Sequence, residues 1–203
     1  MNAPKVKICG VRDEPTVACA AGAGADFIGV VLVPASPRFV APAEARRLAA
    51  AIVDHGAVPV AVVRLPLEPE AHAALEAFPI VQFHGDEPVD AVAAFRGWQR
   101  WKGLRYFPAA ATEWLASSAV DRLVVDGAEA GSGAAWDFAE FARLDGALRM
   151  RCLLAGGLDA GNVASAVRAA QPWGVDVSSG VESARGVKDH ARIRAFIDAA
   201  RGA

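Results

Sequence analysis

The chain has 203 residues, a formal net charge of −2 at pH 7 and 54% hydrophobic residues, a balance unlike that of a disordered or polyanion-binding protein. Nucleic acid is therefore excluded as an expected partner. The three cysteines, Cys9, Cys19 and Cys152, are odd in number and widely spaced, which argues against a disulfide framework and a structural zinc site. No apolar stretch approaches the roughly 20 residues of a membrane span, and the N-terminus lacks an apolar leader, so we expect a reduced, cytoplasmic protein with no membrane contact.

Short runs rich in Val, Ile and Leu alternate with Ala-rich amphipathic stretches along the chain, with a period of about 25 residues. The runs are continuously apolar, which is typical of strands that a parallel sheet buries on both faces. They predict strands over residues 5–9, 27–32, 59–65, 80–83, 99–104, 122–126, 151–155 and 174–177.

The stretches between the predicted strands carry a helical pattern. Apolar side chains fall at i, i+3, i+4 and i+7 in residues 45–52, 71–78, 163–170 and 193–200. Strand-helix units with short connections and no linker favour a closed barrel over an open doubly wound sheet. We therefore predict an α/β fold, a single (β/α)8 TIM barrel that occupies residues 1–203 as one domain.

Two reactive side chains stand at the ends of predicted strands, Cys9 after the first and Asp126 after the sixth. In a parallel barrel these ends form the rim where chemistry is done. A buried cysteine is often inert, and a strand-end aspartate can form an Asx turn, so each residue has a structural alternative. Together they offer a thiol of pKa about 8.5 that acts as a base once deprotonated, and a carboxyl whose pKa burial raises, as an acid requires. Such a pair suits proton transfer at a carbon beside an imine or carbonyl.

Glycine-rich turns follow the last two predicted strands, as Gly156-Gly157 and Ser179-Gly180. Glycine lets backbone N–H groups approach an anion closely, and barrels of this type commonly bind phosphate at this position. A third turn, Gly131-Ser132-Gly133, could close over the site. The alternative is that each glycine only permits a turn with positive φ, but their joint placement favours a phosphate site. No Walker motif is present, so a nucleoside triphosphate is not indicated.

Two further rim residues can contact a ligand. Arg38 follows Ser36-Pro37, and its planar guanidinium can grip a carboxylate, although a solvated loop arginine is the alternative. His84 closes the fourth predicted strand without a second histidine at ligand spacing, so we expect a hydrogen-bonded rim histidine and no metal. The other histidines lie in or near predicted helices and are expected on the surface.

Several short motifs, taken in order, resemble those of the phosphoribosylanthranilate isomerase family, and the match runs nearly from end to end. The motifs are Lys7-Ile8-Cys9-Gly10, Ser36-Pro37-Arg38, Gln82-Phe83-His84-Gly85, Asp126 with Gly131-Ser132-Gly133 and Asp137, Leu154-Ala155-Gly156-Gly157-Leu158 with Asn162-Val163, and Asp176-Val177-Ser178-Ser179-Gly180-Val181-Glu182 with Gly186-Val187-Lys188-Asp189. Arg64-Leu65-Pro66, after the third predicted strand, departs from the family pattern.

The resemblance implies a step of tryptophan biosynthesis that needs no cofactor. It is the Amadori rearrangement of N-(5-phosphoribosyl)anthranilate to 1-(2-carboxyphenylamino)-1-deoxyribulose 5-phosphate. By analogy with the family, Asp126 protonates the ribose ring oxygen, and the Cys9 thiolate removes the C2 proton. Arg38 would hold the anthranilate carboxylate, Asp176 would position the ribose, and backbone near Gly133, Gly157 and Gly180 would cradle the phosphate. The expected substrate-binding set is Arg38, His84, Asp176, Gly133, Gly156, Gly157, Ser179 and Gly180.

Three other functions are less compatible with these residues. A histidine-pathway-type isomerase performs the same rearrangement but has an aspartate where Cys9 stands. A metal-dependent pentose phosphate epimerase needs a histidine and acidic cluster that the strand ends lack. A barrel that binds a phosphorylated ligand without converting it has no use for an acid and base pair. The expected partner is a small phosphorylated substrate, and the chain is expected to be a monomer or homodimer.

Overall fold

The fold is a closed barrel of eight parallel strands in a computed structural model that describes residues 3–105, 107–127 and 141–203. Neighbouring strands pair in chain order, and the last pairs with the first. They are β1 (Lys5–Cys9), β2 (Phe27–Val31), β3 (Val58–Val63), β4 (Ile80–Phe83), β5 (Gln99–Arg105), β6 (Arg122–Asp126), β7 (Cys152–Ala155) and β8 (Gly174–Val177). The predicted (β/α)8 TIM barrel is therefore confirmed.

Helices cover the outside of the barrel, and a short antiparallel pair, β9 (Glu182–Ala184) and β10 (Val187–Lys188), follows β8. The described helices are α1 (Glu14–Gly22), α2 (Pro42–Asp54), α3 (Pro69–Ala74), α4 (Val89–Ala93), α5 (Pro108–Ala116), α6 (Gly146–Arg149), α7 (Val163–Ala170) and α8 (His190–Arg201). The predicted apolar stripes of α2 and α8 are buried. None of the described helices is long and apolar enough to cross a bilayer.

The limits of several predicted elements differ in the structure. Strands β2, β3 and β5 differ by one or two residues, and two other elements differ for identifiable local reasons. The stripe over residues 71–78 is helical only to Ala74 and continues as a 3-10 turn, Leu75–Ala77. Phe78 is extended because the following Pro79 disfavours a helical residue before it. Strand β7 starts one residue later than predicted, because the N–H of Arg151 donates to the Leu148 carbonyl at the end of α6.

Alternation along β1 decides which side chains reach the barrel interior. Val6 and Ile8 belong to the apolar layer between sheet and helices, whereas Lys7 and Cys9 face inward. Below them, Trp101 is fully buried in the barrel and contacts the ring of Phe27 at 5.0 Å. This aromatic packing fills the amino-terminal half of the barrel, so the carboxyl ends of the strands enclose the open space.

Candidate active site

A cavity of about 380 Å³ opens at the carboxyl ends of the strands. All the predicted site residues that the structure describes line it: Cys9, Arg38, His84, Asp126, Gly156, Gly157, Asp176, Ser179 and Gly180. Gly133 lies outside the described residues, as do Gly131, Ser132 and Asp137. The barrel thus brings together side chains from both ends of the chain, as the strand-end argument predicted.

Cys9 is the last residue of β1 and is 9% exposed at the floor of the cavity. Its side chain lies over Gly29 of β2, where a Cβ atom would stand only 2.9 Å from Cys9 Sγ. Glycine at this position therefore makes room for the thiol. Burial raises the pKa of Cys9, and the nearby positive charge of Lys7 opposes that rise.

Lys7 lies buried beside Cys9, behind the cavity wall, and the sequence-based prediction assigned it no role. It is fully buried, and its Nζ atom donates to Asp176 Oδ1 at 2.9 Å. Burial alone would lower the pKa of Lys7, but the charges of Asp176 and Cys9 outweigh it and raise this pKa above its ordinary value. The available signal was a lysine inside an otherwise apolar strand, since lysine is almost never fully buried unless it is paired.

Asp126 ends β6 on the cavity wall, with a side chain that is 38% exposed. Although part of the side chain is open to the cavity, the protein around it desolvates the carboxylate and raises its pKa to about 6, the direction that was expected for an acid, and the neighbouring charge of Asp176 adds to the rise. The Nε2 atom of His84 lies 3.9 Å from Asp126 Oδ2, which is too long for a hydrogen bond.

The hydrogen bond that was expected for the His84 ring is not present, since its Nδ1 atom has no partner in the part of the chain that the structure describes. The ring instead packs over Gly103 of β5, which leaves room for it. Burial lowers the pKa of His84, which favours the neutral ring beside Asp126.

Arg38 reaches the cavity from the loop after β2 and is held by Glu182. Its Nε and Nη2 atoms donate to the two oxygens of that carboxylate at 2.6 and 2.8 Å. Glu182 also accepts from Lys188 Nζ at 3.0 Å and from the N–H of Gly186 at 3.1 Å. Although burial would raise the pKa of Glu182, these donors lower it to about 2. Glu182 and Lys188 belong to the last of the family-like motifs, at residues 176–189, but the sequence analysis predicted no role for either residue.

A second glycine shapes the same corner of the site. Gly10 has φ +77°, and a Cβ atom there would collide with the side chain of Arg38. The aliphatic part of Arg38 therefore needs a residue without a side chain beneath it. This explains physically why glycine follows the cysteine at the end of β1.

The predicted phosphate-binding turns both line the cavity. Gly156 and Gly157 have φ of +80° and +66°, so these glycines do serve the positive-φ turn that was the structural alternative. Asn162 Nδ2 donates to the Gly157 carbonyl at 2.8 Å and fixes that turn. Gly180 packs against the Leu158 carbonyl, where any side chain would collide. The two turns are thus built against each other.

Gln82 of β4 is a further residue that the predicted site set omitted. It lines the cavity, is 1% exposed, and its Oε1 atom has no hydrogen-bond partner within the described residues. Buried amide oxygens are normally paired, so an unpaired one on a cavity wall is suited to contact a ligand. In the described ranges, no group of three His, Cys, Asp or Glu residues is arranged to hold a metal ion.

The family model described as N-(5'phosphoribosyl)anthranilate (PRA) isomerase matches residues 6–199 of the chain. The chain belongs to the PRA isomerase family. This confirms the predicted family and the predicted class of enzyme, an isomerase of tryptophan biosynthesis.

Individual PRA isomerases match the chain over almost its whole length. The N-(5'-phosphoribosyl)anthranilate isomerase of Roseiflexus sp. (strain RS-1) is 41% identical, with 98% of each chain covered. The solved structure of TrpF from Jonesia denitrificans is 40% identical and superposes with a TM-score of 0.83, again with 98% of each chain covered. A PRA isomerase solved in complex with reduced 1-(o-carboxyphenylamino)-1-deoxyribulose 5-phosphate is 29% identical, with a TM-score of 0.81 and coverage of 98% of this chain and 100% of the other.

Proposed function

We propose that this protein converts N-(5'-phosphoribosyl)anthranilate to 1-(2-carboxyphenylamino)-1-deoxyribulose 5-phosphate by general acid and base catalysis without a cofactor. The observation that carries the proposal is that Cys9 and Asp126 line one cavity in a chain of the PRA isomerase family. A family member is known in complex with a reduced form of this product, which supports a ligand of the same class here.

Asp126 is the proposed general acid. Its pKa of about 6 leaves a protonated fraction near neutral pH, which an ordinary aspartate would lack. The carboxylic acid gives its proton to the ribose ring oxygen, the C1–O bond breaks, and the aniline nitrogen forms a Schiff base with C1. Cys9 as thiolate then takes the proton from C2, and the resulting enolamine tautomerises to the ketone. The rearrangement is an internal redox change in which C1 is reduced as C2 is oxidised, so no external electron acceptor is required.

Arg38 is proposed to hold the anthranilate carboxylate, with the aromatic ring against the apolar wall that Val31, Val33 and Val62 form beside Cys9. The glycine turns at Gly156-Gly157 and Ser179-Gly180 are proposed to bind the phosphate through their backbone N–H groups. The substrate-binding set predicted from the sequence also includes Asp176, His84 and Gly133. Gly133 is proposed to contact the phosphate through its backbone.

We further propose that residues 1–203 act as one barrel domain, as a monomer or a homodimer. One structural relative, from Thermotoga maritima, is a dimeric isomerase from which monomers were generated. Light scattering on the purified chain measures the mass of the particle in solution, and an assembly larger than a dimer would contradict the proposal.

The test of the reaction is the loss of anthranilate-type fluorescence when freshly generated N-(5'-phosphoribosyl)anthranilate is mixed with the protein in the presence of a chelator. We expect rapid loss with the native chain and a decrease in kcat of at least about 100-fold for Cys9→Ser and for Asp126→Asn. The matched controls are Cys19→Ser, on helix α1, and Asp121→Asn, at the opposite end of β6. Both controls should keep their activity.

Two outcomes would contradict the proposal. If the native chain binds the substrate without converting it, the protein is a ligand-binding barrel and not an isomerase. If turnover survives in both Cys9→Ser and Asp126→Asn, the acid and base have been assigned to the wrong residues.

A further inference from the structure

The buried charge of Lys7 needs a physical explanation. Removing an ammonium group from water is energetically costly unless its partners compensate. Lys7 and Asp176 are register partners on neighbouring strands β1 and β8, and their charged atoms lie 2.9 Å apart. A pair of apolar side chains would fill the same space at lower cost, so the pair is not explained by stability alone.

The Lys7 ammonium lies against the thiol of Cys9. The two residues are separated by one position on β1, so their side chains face the same side of the strand. Both reach the space above Gly29 of β2, where a Cβ atom would stand 2.9 Å from Cys9 Sγ and 3.2 Å from Lys7 Nζ. Lys7 acts on the sulfur through its positive charge.

Other charged groups also face Cys9 from the elements packed around it. Asp176 of β8 opposes ionisation of the thiol, and Lys188 of β10 favours it. Arg38, from the loop after β2, interacts electrostatically with the same sulfur. Burial raises the pKa of Cys9, and Lys7 is the strongest of the groups that lower it. Without Lys7, the thiolate would face the carboxylate of Asp176 with only the weaker influence of Lys188 and Arg38 to offset it.

We propose that Lys7 is a positioning residue that stabilises the thiolate of Cys9, and that Asp176 holds the Lys7 ammonium against the sulfur. The proton that leaves Cys9 passes to water in the open cavity, and Lys7 keeps all three of its protons throughout. Lys7 is therefore not a base and need not touch the substrate. The consequence for turnover rests on the function proposed above, whereas the effect on the thiol does not.

The effect on turnover follows from the protonation states that the reaction requires. The competent enzyme has Cys9 deprotonated and Asp126 protonated, although the pKa of Cys9 is the higher of the two. Between the two pKa values, the competent fraction is constant and equals the ratio of the two acid dissociation constants. Each unit by which the pKa of Cys9 rises therefore lowers the plateau of kcat/KM about tenfold.

The first experiment measures the pH midpoint of Cys9 alkylation by iodoacetamide, with modified Cys9 quantified by peptide mass spectrometry, in the absence of substrate. In Lys7→Met, which keeps the length of the side chain and removes its charge, we expect the midpoint to rise by at least about one pH unit. The matched control is Lys5→Met, which removes a half-exposed lysine of the same strand that pairs with Asp26. Its midpoint should equal that of the native chain.

A second comparison keeps the test decisive if Lys7→Met fails to fold with Asp176 left unpaired. Asp176→Asn and the double variant Lys7→Met/Asp176→Asn differ only at residue 7, and neither leaves an unpaired buried carboxylate. In Asp176→Asn the new amide oxygen can still accept from the Lys7 ammonium. We expect the midpoint of the double variant to exceed that of Asp176→Asn by a comparable amount. The proposal would be overturned if the alkylation midpoint were the same in the native chain and Lys7→Met, and the same in Asp176→Asn and the double variant, for whichever of these pairs folds.

Turnover supplies a readout that a purely structural role would not move. In Lys7→Met, the kcat/KM plateau should fall about tenfold or more while its alkaline limb moves to higher pH, since that limb reports Cys9. A lower kcat/KM plateau with an alkaline limb at the same pH as in the native chain would contradict the proposal. If alkylation responds as expected but the native chain converts no substrate, the proposed isomerase function fails while the assignment of Lys7 to the thiol stands.

Discussion

Arg38 and Glu182 meet edge to edge, with Nε–Oε1 and Nη2–Oε2 distances of 2.6 and 2.8 Å. A guanidinium has five N–H donors, so this bidentate contact leaves others for a second carboxylate. Lys188 lies 3.0 Å from the same glutamate and balances its charge. The three groups together keep a net positive charge at the mouth of the cavity, held in one orientation.

Glu182→Gln should raise KM for the proposed substrate about tenfold with little change in kcat, because an amide cannot accept from both guanidinium nitrogens and Arg38 loses its fixed orientation. Steady-state kinetics measures the two constants separately. The matched control is Glu87→Gln, which alters another buried glutamate, paired with Lys102 at 2.7 Å, that does not line the cavity. An equal rise of KM in both variants would assign the effect to general destabilisation.

The pH profile of kcat/KM should have an acid limb near pH 6. Asp126 has a pKa of about 6 and must be protonated, while Cys9 has a raised pKa and must be deprotonated. Below pH 6, Asp126 is already protonated, and the thiolate fraction falls tenfold for each pH unit, so activity falls with it. Measurement of kcat/KM from about pH 5 to about pH 9, with preincubation controls for stability, tests this. An acid limb near pH 4 would show that Asp126 titrates normally.

Asp126→Asn should stabilise the protein at neutral pH while it abolishes turnover. The folded pKa of about 6 lies above the unfolded value of about 3.9, so the folded state binds more protons between these limits. The charge of Asp126 therefore opposes folding above pH 6, and this penalty declines as the pH falls and vanishes below about pH 3, where both states are protonated. Thermal unfolding should give Asp126→Asn a higher Tm than the native chain at pH 7.5 and a much smaller difference in Tm at pH 4. A lower Tm at pH 7.5 would contradict the argument.

Trp173→Ala should reduce stability by about 2 kcal/mol without changing kcat/KM. Trp173 packs against Phe27 and Trp101 at ring distances of 5.6 and 6.1 Å, and the guanidinium of Arg122 lies 3.4 Å from its ring centre. This cluster lies in the half of the barrel away from the cavity, where side chains serve stability. Urea unfolding and initial rates measure the two effects, and Trp173→Phe is the control that retains an aromatic ring. A loss of activity in folded Trp173→Ala would show coupling across the barrel.

Much of the fold was predictable because the relevant signals are local. Continuous apolar runs predicted every barrel strand to within two residues at either end, since only strands covered on both faces need such runs. The helix that was predicted too long, at residues 71–78, was limited by Pro79, a local signal that the periodicity did not include. His84 was different, because the absence of a partner for its Nδ1 atom depends on how the neighbouring strand packs around it.

The sequence by itself determined the order of the strands, the rim to which Cys9, Arg38 and Asp126 belong, and the motifs that indicated the family. Only the tertiary structure decided what each side chain touches. Lys7 and Asp176 are 169 residues apart and meet because β8 closes the barrel against β1. Arg38 and Glu182 are 144 residues apart and meet for the same reason. Hydrophobic periodicity reports burial along one element, whereas the partner of a buried charge is set by closure of the sheet, which brings the two ends of the chain together.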